Sequence, residues 1–426
     1  MTDRCLADWL KLLESRHPSE IDLGLDRVAE VWRRYRLQSA KAKTKTPKII
    51  TVAGTNGKGS CIASMQAVLL AHGYSVGTFT SPHFLVYNER ICLSGIPASD
   101  QIIVSAFESI ELLRGDISLT YFEFNTLAAL IIFDRHALDY LLLEVGLGGR
   151  LDATNIIDCD VAVLTSVDLD HQQWLGNTRT DIAREKLGIA RSDRPLIIGE
   201  TNYPQGFERM VADTNANPLW LERDFCYSQQ QLCFSVSLAG VQIENIEHFN
   251  CDGLLPVNKT VALQALISAG CILDAEKCRC ALNAVTLMGR QQKLSYKGIS
   301  IVLDVAHNPA ATSVLATYLT TQSGTKIAVA SVLDDKDWAS MIDNLSNVID
   351  RWNIAELTAV SRATKGHSLL KLLYNVGLEG ILSDSIEQAF STAVSQADEG
   401  DMVVVFGSFY TVASILRLIS EENSIE

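Results

Sequence analysis

No stretch of this 426-residue chain is apolar for long enough to cross a bilayer. The longest apolar run, Leu127 to Phe133, falls far short of the ~20 residues a spanning helix needs. The opening MTDRCLADWLKLLESRHPSEIDLGLDRV also lacks the apolar core of a signal peptide, so the expected compartment is the cytoplasm. Positive charge is in deficit. Lys and Arg number 36 against 50 Asp and Glu, a formal net charge of −14. That excludes a general nucleic-acid binder, although one basic cleft remains compatible with it. The ten cysteines include no C-x-x-C pair, and Cys278 and Cys280 are spaced to face apart on a helix. Reduced, structural thiols are therefore expected. Low-complexity tracts and internal repeats are also missing.

What is present is an ordinary globular composition, 47% hydrophobic and 20% charged, in a chain too long for one core. Two domains are expected. The first half alternates strands (KIITVAG, SVGTFT, DYLLLEVG, DVAVLTSV) with helices (SCIASMQAVLLAHGY, SDQIIVSAFESIELLRG, FEFNTLAALIIFDRHAL). Such alternation implies a parallel sheet with crossover helices. The pattern loosens from about Thr201 to Val257, where QQQLCFSVSLAG reads as a small antiparallel elaboration, before the helix NKTVALQALISAGCIL. A second alternation starts near Ser295, with strands ISIVLDVA, KIAVASVL, AELTAV, GILSD and DMVVVFGS. The fold class expected is thus α/β: a parallel-sheet domain over residues 1–290, made P-loop ATPase-like by the glycine-rich loop GTNGKGS after its first strand, then a Rossmann-like doubly wound domain over 291–426.

The stretch GTNGKGS follows the first strand and opens a helix. Backbone N–H groups converging at a helix start bind anions, and the helix dipole assists. Gly54, Gly57 and Gly59 permit the tight turn, Lys58 offers a point charge to phosphate, and Ser60 can reach a metal-bound phosphate or cap the helix. The loop is shorter than the common G-x-x-x-x-G-K-[ST], and Gly59 separates lysine from serine. Further on, Glu144 stands at the end of DYLLLEVG, and Asp168, Asp170 and His171 stand beyond DVAVLTSV. Each alone is as readily structural. Two strand ends directed at one phosphate loop favour a metal site. TDIAREKLGIAR reads as a helix capped by Thr180 or Asp181, with Glu185 and Lys186 on a solvated face. In the second domain Asp304, His307 and Asn308 occupy a strand-to-helix turn, and Arg290 lies at the join.

Taken in order, IDLGLDRV, GTNGKGS, TSPHF, NERI, LEVGLGGRLDATN, DHQQWLG, REKLGI, DVAHNP, DKDW and VFGSFYTV resemble the folylpolyglutamate synthase family, ATP-dependent amide ligases related to the Mur ligases. LTYFEFNTLAAL looks most like the bacterial bifunctional branch, which also makes dihydrofolate from dihydropteroate. The resemblance implies phosphorylation of a substrate carboxylate by ATP and attack of L-glutamate on the acyl phosphate. It implies ATP contacts from Thr55, Asn56, Gly57, Lys58, Gly59, Ser60, Asn258, Arg290, Asp304 and His307, and Mg²⁺ at Ser81, Glu144 and His171. Lys186 matches a lysine often carbamylated in the family, and a monovalent cation is a further implied cofactor. Catalytic roles fall to Lys58, Glu144, His171 and Lys186. The pterin pocket is expected from Asp22, Leu23, Gly24 and Leu25, from Tyr121, Phe122 and Glu123, and from Asp152 and Ala153, with Phe122 stacking on the ring. Ser408 is the expected glutamate contact. The implied partners are dihydropteroate, reduced folates, L-glutamate and ATP, with no nucleic acid or membrane, acting on a monomer.

One departure is Met288-Gly289-Arg290-Gln291, where the family often has proline before the Gly-Arg pair and an aromatic after it. Three alternatives stand beside this reading. A Mur-type ligase would need a further domain for its sugar nucleotide. A nucleotide-gated switch would leave DVAHNP and Lys186 without work, and a simple kinase would hydrolyse or transfer phosphate without any dependence on an amine.

Overall fold

The computed structural model describes residues 4–16, 21–39, 45–230, 233–240, 245–251, 253–358, 360 and 362–423. The N-terminal stretch read for a signal peptide therefore lies partly outside the described residues, at positions 1–3 and 17–20. The chain divides into two compact units, Met1–Val285 and Thr286–Glu426.

The first unit is built on an eight-stranded sheet of β1 (Lys48–Ala53), β2 (Val76–Phe79), β3 (Ile91–Leu93), β4 (Ile96–Pro97), β5 (Tyr140–Glu144), β6 (Val161–Leu164), β7 (Pro195–Ile198) and β8 (Asn217–Trp220). The order is β4-β3-β2-β5-β1-β6-β7-β8. All pairings are parallel except those of β3 with β2 and β4. Alternate residues of one strand serve opposite faces. Leu142 of β5 packs with Ile50, Val52 and the helices Lys58–Ala71 and Pro256–Ser268, whereas Leu141 and Leu143 pack with Phe124, Leu127 and Ile131 of helix Tyr121–Asp134. Both faces are covered, which is why these strands read as unbroken apolar runs. Strand order reverses beside β1, so the loops after β1, β2, β5 and β6 share one edge, where open α/β sheets place ligands.

Beyond the sheet, β9 (Cys226–Gln230), β10 (Cys233–Ser237) and β11 (Asn245–Asn250) form the antiparallel elaboration, with residues 231–232 of its sequence outside the described residues. All ten cysteines are free thiols; Cys278 is buried and Cys280 exposed on the same helix.

The second unit holds β12 (Gln292–Tyr296), β13 (Ile299–Leu303), β14 (Lys326–Ala330), β15 (Arg351–Ala355), β16 (Gly380–Ser383) and β17 (Met402–Phe406), ordered β12-β13-β17-β14-β15-β16. Only β12 is antiparallel to its neighbour. The strand expected over AELTAV is displaced: β15 is RWNIA, and the chain leaves the sheet at Glu356, with residue 359 outside the described residues. Lys365 and the backbone of Gly366 bond to Glu356 there, so that carboxylate anchors a loop. No helix among the described residues is long and apolar enough to cross a membrane.

Candidate active site

The loop after β1 turns through Gly57, which has φ +88° and is the N-cap of helix Lys58–Ala71. A side chain there would be strained by its backbone, and its Cβ would lie 2.5 Å from Asn258 Oδ1. Asn258, buried in the first turn of helix Pro256–Ser268, therefore lies against the loop. Ser60 is not the cap: it is buried inside the helix, where its carbonyl accepts from Ser64 Oγ at 2.8 Å.

The loop leans on the end of β6. Thr55 N donates to Ser166 O (3.0 Å) and Asn56 N to Ser166 Oγ (2.9 Å), while Thr165 Oγ1 donates to Asn56 O (2.6 Å). Thr55 Oγ1 accepts from Asp168 N and donates to Asp168 O, at 3.0 and 3.1 Å. Lys58 Nζ curls back to Gly54 O (2.9 Å) and Thr55 O (3.3 Å), so the cation is held against the loop's own carbonyls. The bracing hydroxyls of Thr165 and Ser166 went unread in the sequence, where they are two polar residues ending a strand.

Glu144, only 6% exposed, ends β5 and accepts from Ser81 N at 3.1 Å. Those two expected metal positions are thus brought together. His171 has φ +50° and caps the short helix Gln172–Leu175; its amide donates to Asp170 Oδ1 at 2.9 Å. A non-glycine residue in this region is uncommon and marks a site where local geometry is imposed. The expected trio of Ser81, Glu144 and His171 would offer one hydroxyl, one carboxylate and one imidazole, oxygen and nitrogen donors that suit Mg²⁺ or Mn²⁺.

Lys186 is not on a solvated face. It is 4% exposed, and burial, aided by repulsion from Lys58, lowers its pKa to about 7 against the pull of Asp170 and Asp152. Its helix, Arg179–Leu187, is capped by Thr178 rather than by Thr180 or Asp181. Thr178 Oγ1 accepts from Asp181 N at 3.1 Å and donates to the Asp181 carboxylate at 2.6 Å. Asp181 is thus the cap's partner at the third helical position.

Asp152 is buried and accepts from Gly146 N, Leu147 N, Thr154 N and Thr154 Oγ1 at 2.6–3.0 Å. Burial raises its pKa against these bonds. It thereby shapes the turn at Gly146, where a Cβ would meet the Phe122 ring at 2.5 Å. Phe122 is half-buried with its ring centroid 5.8 Å from that of Phe79. Ala153 is sealed in the core. Glu123 closes a capping box with Thr120 and pairs with Arg27, which also holds Asp22 at 2.6 Å. Leu23 and Gly24 lie half-buried just before Leu25, the N-cap of helix Asp26–Gln38. Arg27, the link between two expected pocket segments, went unnamed in the sequence; its charge within IDLGLDR was the available signal.

In the second unit, Asp304 ends β13 buried, accepts from Gln291 N (3.0 Å) and Ala306 N (2.8 Å), and has its pKa raised by burial against the nearby Arg290 and His307. Arg290 lies 5.6 Å from the Phe409 ring centroid, and His307 faces the same ring at 6.1 Å. Ser408 is buried and bonds Thr411 through its hydroxyl at 2.7 Å. These four expected residues cluster at the ends of the adjacent strands β13 and β17.

Over residues 289–409 the chain matches the model for the Mur ligase, glutamate ligase domain. It is 39% identical over 429 residues to the dihydrofolate synthase/folylpolyglutamate synthase of Escherichia coli (strain K12), covering 98% of this chain and 96% of that one. The chain belongs to the dihydrofolate synthase/folylpolyglutamate synthase family. Family membership extends to three dimensions. Escherichia coli FolC in complex with DHPP and ADP aligns with a TM-score of 0.91 at 38% identity, over 99% of each chain. A bifunctional folylpolyglutamate synthase/dihydrofolate synthase with Mn, AMPPNP and L-glutamate bound aligns at 0.89 and 39%, over 98% of each chain.

Proposed function

We propose that this chain is an ATP-dependent ligase that joins L-glutamate to dihydropteroate, giving dihydrofolate, and to the γ-carboxyl of reduced folates, giving polyglutamates. The observation that carries the reading is the shared sheet edge: a lysine-bearing phosphate loop, a buried carboxylate at Ser81, and a buried lysine of depressed pKa. Relatives whose structures hold ADP, AMPPNP, Mn, DHPP or L-glutamate support it.

The chemistry follows from the poor reactivity of a carboxylate toward amines. The acceptor carboxylate oxygen attacks the γ-phosphorus of ATP, ADP departs, and an acyl phosphate forms. The glutamate amine then attacks the acyl carbon, inorganic phosphate leaves, and the amine proton is released. Loop amides of residues 55–60 and Lys58 hold the phosphates, with Asn258 behind the loop. Ser81, Glu144 and His171 would hold the divalent cation, which, when bound, offsets the repulsion between the two anionic reactants. Phe122, Tyr121 and Glu123, with the segments Asp22–Leu25 and Asp152–Ala153, form the acceptor pocket, an aromatic face suiting the flat pterin. Residues 1–290 do the ATP and acceptor work, and residues 291–426 receive glutamate, with Arg290, Asp304 and His307 on the nucleotide and Ser408 on glutamate. The enzyme acts as a cytoplasmic monomer.

Lys186 is carbamylated in the working enzyme. Carbamylation requires the neutral amine, and at a pKa of about 7 roughly half of it is neutral at pH 7, against about 0.03% at an ordinary lysine value. The carbamate replaces a buried cation by an anion able to support a second cation. Intact-mass measurement in bicarbonate would show the 44 Da adduct, and an unmodified lysine there would reject it. For the ligase itself, ADP release should require both an acceptor and glutamate, with product identified by mass. Turnover indifferent to glutamate would point to a kinase, and activity with reduced folate alone would favour the monofunctional reading.

A further inference from the structure

Of the two stretches TSPHF and NERI, only Ser81 has a task in the chemistry above, and the structure joins the remaining residues. Ser81 leads into His83, and Arg90 stands where the chain returns to pair β3 with β2, its carbonyl accepting from Thr80 N at 3.0 Å. Glu89 fixes the intervening loop by accepting from the amides of Phe84, Leu85 and Val86 at 2.7–2.8 Å. Arg90 itself is 8% exposed, and among the described residues no carboxylate lies within ion-pair distance of it. Its guanidinium lies 5.6 Å from the Tyr121 ring centroid and 6.0 Å from that of Tyr87. Nε donates to His83 Nδ1 at 2.8 Å. Arginine cannot accept, so this bond fixes His83 as the tautomer with its proton on Nε2. Of the five N–H donors, only the one on Nε has a protein acceptor among the described residues; the two terminal amino groups form an open fork.

A buried cation without a counter-charge is costly, and a fork of this shape fits a carboxylate in two parallel bonds. The cation lies at the ligand edge of the sheet, over the first residue of the helix that carries Tyr121, Phe122 and Glu123. We infer that Arg90 binds a carboxylate of the acceptor substrate, and that His83 is a positioning residue that holds the fork open toward it. This rests on the ligase reading above. The carboxylate has two sources: the reacting carboxylate present on every acceptor, or the non-reacting α-carboxylate that only glutamylated folates carry.

The test is steady-state kinetics of wild type, Arg90→Met and Arg90→Lys, with dihydropteroate and a reduced folate as acceptors and with ATP varied separately. Loss of a charge-assisted fork corresponds to a rise of about 10- to 100-fold in acceptor KM. ATP KM should stay within about twofold, with Arg90→Lys intermediate because it keeps the charge without the fork. A rise for both acceptors assigns the reacting carboxylate; a rise for the reduced folate alone assigns the α-carboxylate. His83→Gln, which retains an acceptor for Nε–H, should stay near wild type, whereas His83→Leu should raise acceptor KM. Acceptor KM unchanged in the Arg90 variants would overturn the assignment, and Arg90→Lys decides the matter should Arg90→Met not fold. Wild-type enzyme idle with both acceptors would instead overturn the ligase reading, and this inference with it.

Discussion

Replacing Lys186 by methionine tests the electrostatics of the site without any ligand. In the unfolded chain this amine keeps its proton up to about its ordinary pKa of 10.5, whereas in the folded protein it releases it near 7, chiefly because burial removes its hydration. Between those values the unfolded state holds the extra proton, so stability rises with pH, by about 1.4 kcal/mol per unit. Below pH 7 the amine is charged in both states, and the whole penalty of burying it, about 5 kcal/mol at most, bears on the fold. Methionine fills a similar volume with no charge. Lys186→Met should therefore be more stable than wild type at pH 6.5, and its advantage should shrink by about 2–3 kcal/mol on going to pH 9. Buried thiols such as Cys61, whose pKa is pushed up by burial, titrate alike in both proteins and cancel in the difference. The assay is urea unfolding of the nucleotide- and metal-free proteins in bicarbonate-free buffer at several pH values. A difference between the two proteins that stays constant with pH would falsify the depressed pKa, and with it the reason given for carbamylation.

Three further outcomes are expected. Gly57→Ala places a side chain at φ +88° against Asn258, costing about 1–3 kcal/mol in strain, and should raise ATP KM more than acceptor KM, as initial rates would show. Glu144→Gln keeps the shape beside Ser81 but removes a metal-binding charge; Mn²⁺ affinity measured by calorimetry with a non-hydrolysable nucleotide should fall at least tenfold, while melting of the apo protein stays nearly unchanged. Glu111, held by Arg114 and Arg16, has its pKa lowered to about 2, so its contribution is present above pH 4.5 and lost as pH falls toward 2. After allowance for solvent screening, Glu111→Gln should cost about 1 kcal/mol at pH 7 and almost nothing near pH 2, read from denaturant midpoints.

The sheet was legible because strands covered on both faces leave unbroken apolar runs such as KIITVA and YLLLE. The strand RWNIA escaped for the opposite reason: its exposed Arg351 and buried Asn353, which bonds Gln396, break that run, while the neighbouring LTAV has the β-branched content that a strand reading rewards. Helix Asp26–Gln38 went unread although Val28, Val31, Trp32 and Tyr35 recur at helical spacing, because six charged residues are interspersed among them. Site residues at strand ends and in the glycine loop could be found from order alone. The burial of Lys186 could not, since RTDIAREKL has the look of a surface helix until Lys58, Asp170 and Asp152, from beyond the ends of β1, β6 and β5, come within electrostatic reach of it. The cap at Thr178 lies two residues before Thr180 and three before Asp181, in a run where all three are suitable capping types.

The short loop after β1 keeps its shape with hydroxyls that belong to a different strand: Thr165 and Ser166 hold Asn56, and Thr55 exchanges bonds with Asp168. The β1–β6 pairing, Ile50 opposite Val161 through Ala53 opposite Leu164, sets both ends in register for this. A loop so assembled is not a portable cassette. Transplanted into another parallel sheet as seven residues, GTNGKGS would arrive without half of its scaffold, and a single-residue slip of β6 would unfasten it in place. The unit that must be inherited, or borrowed by a designer, is the pair of neighbouring strand ends, residues 53–60 together with 164–168.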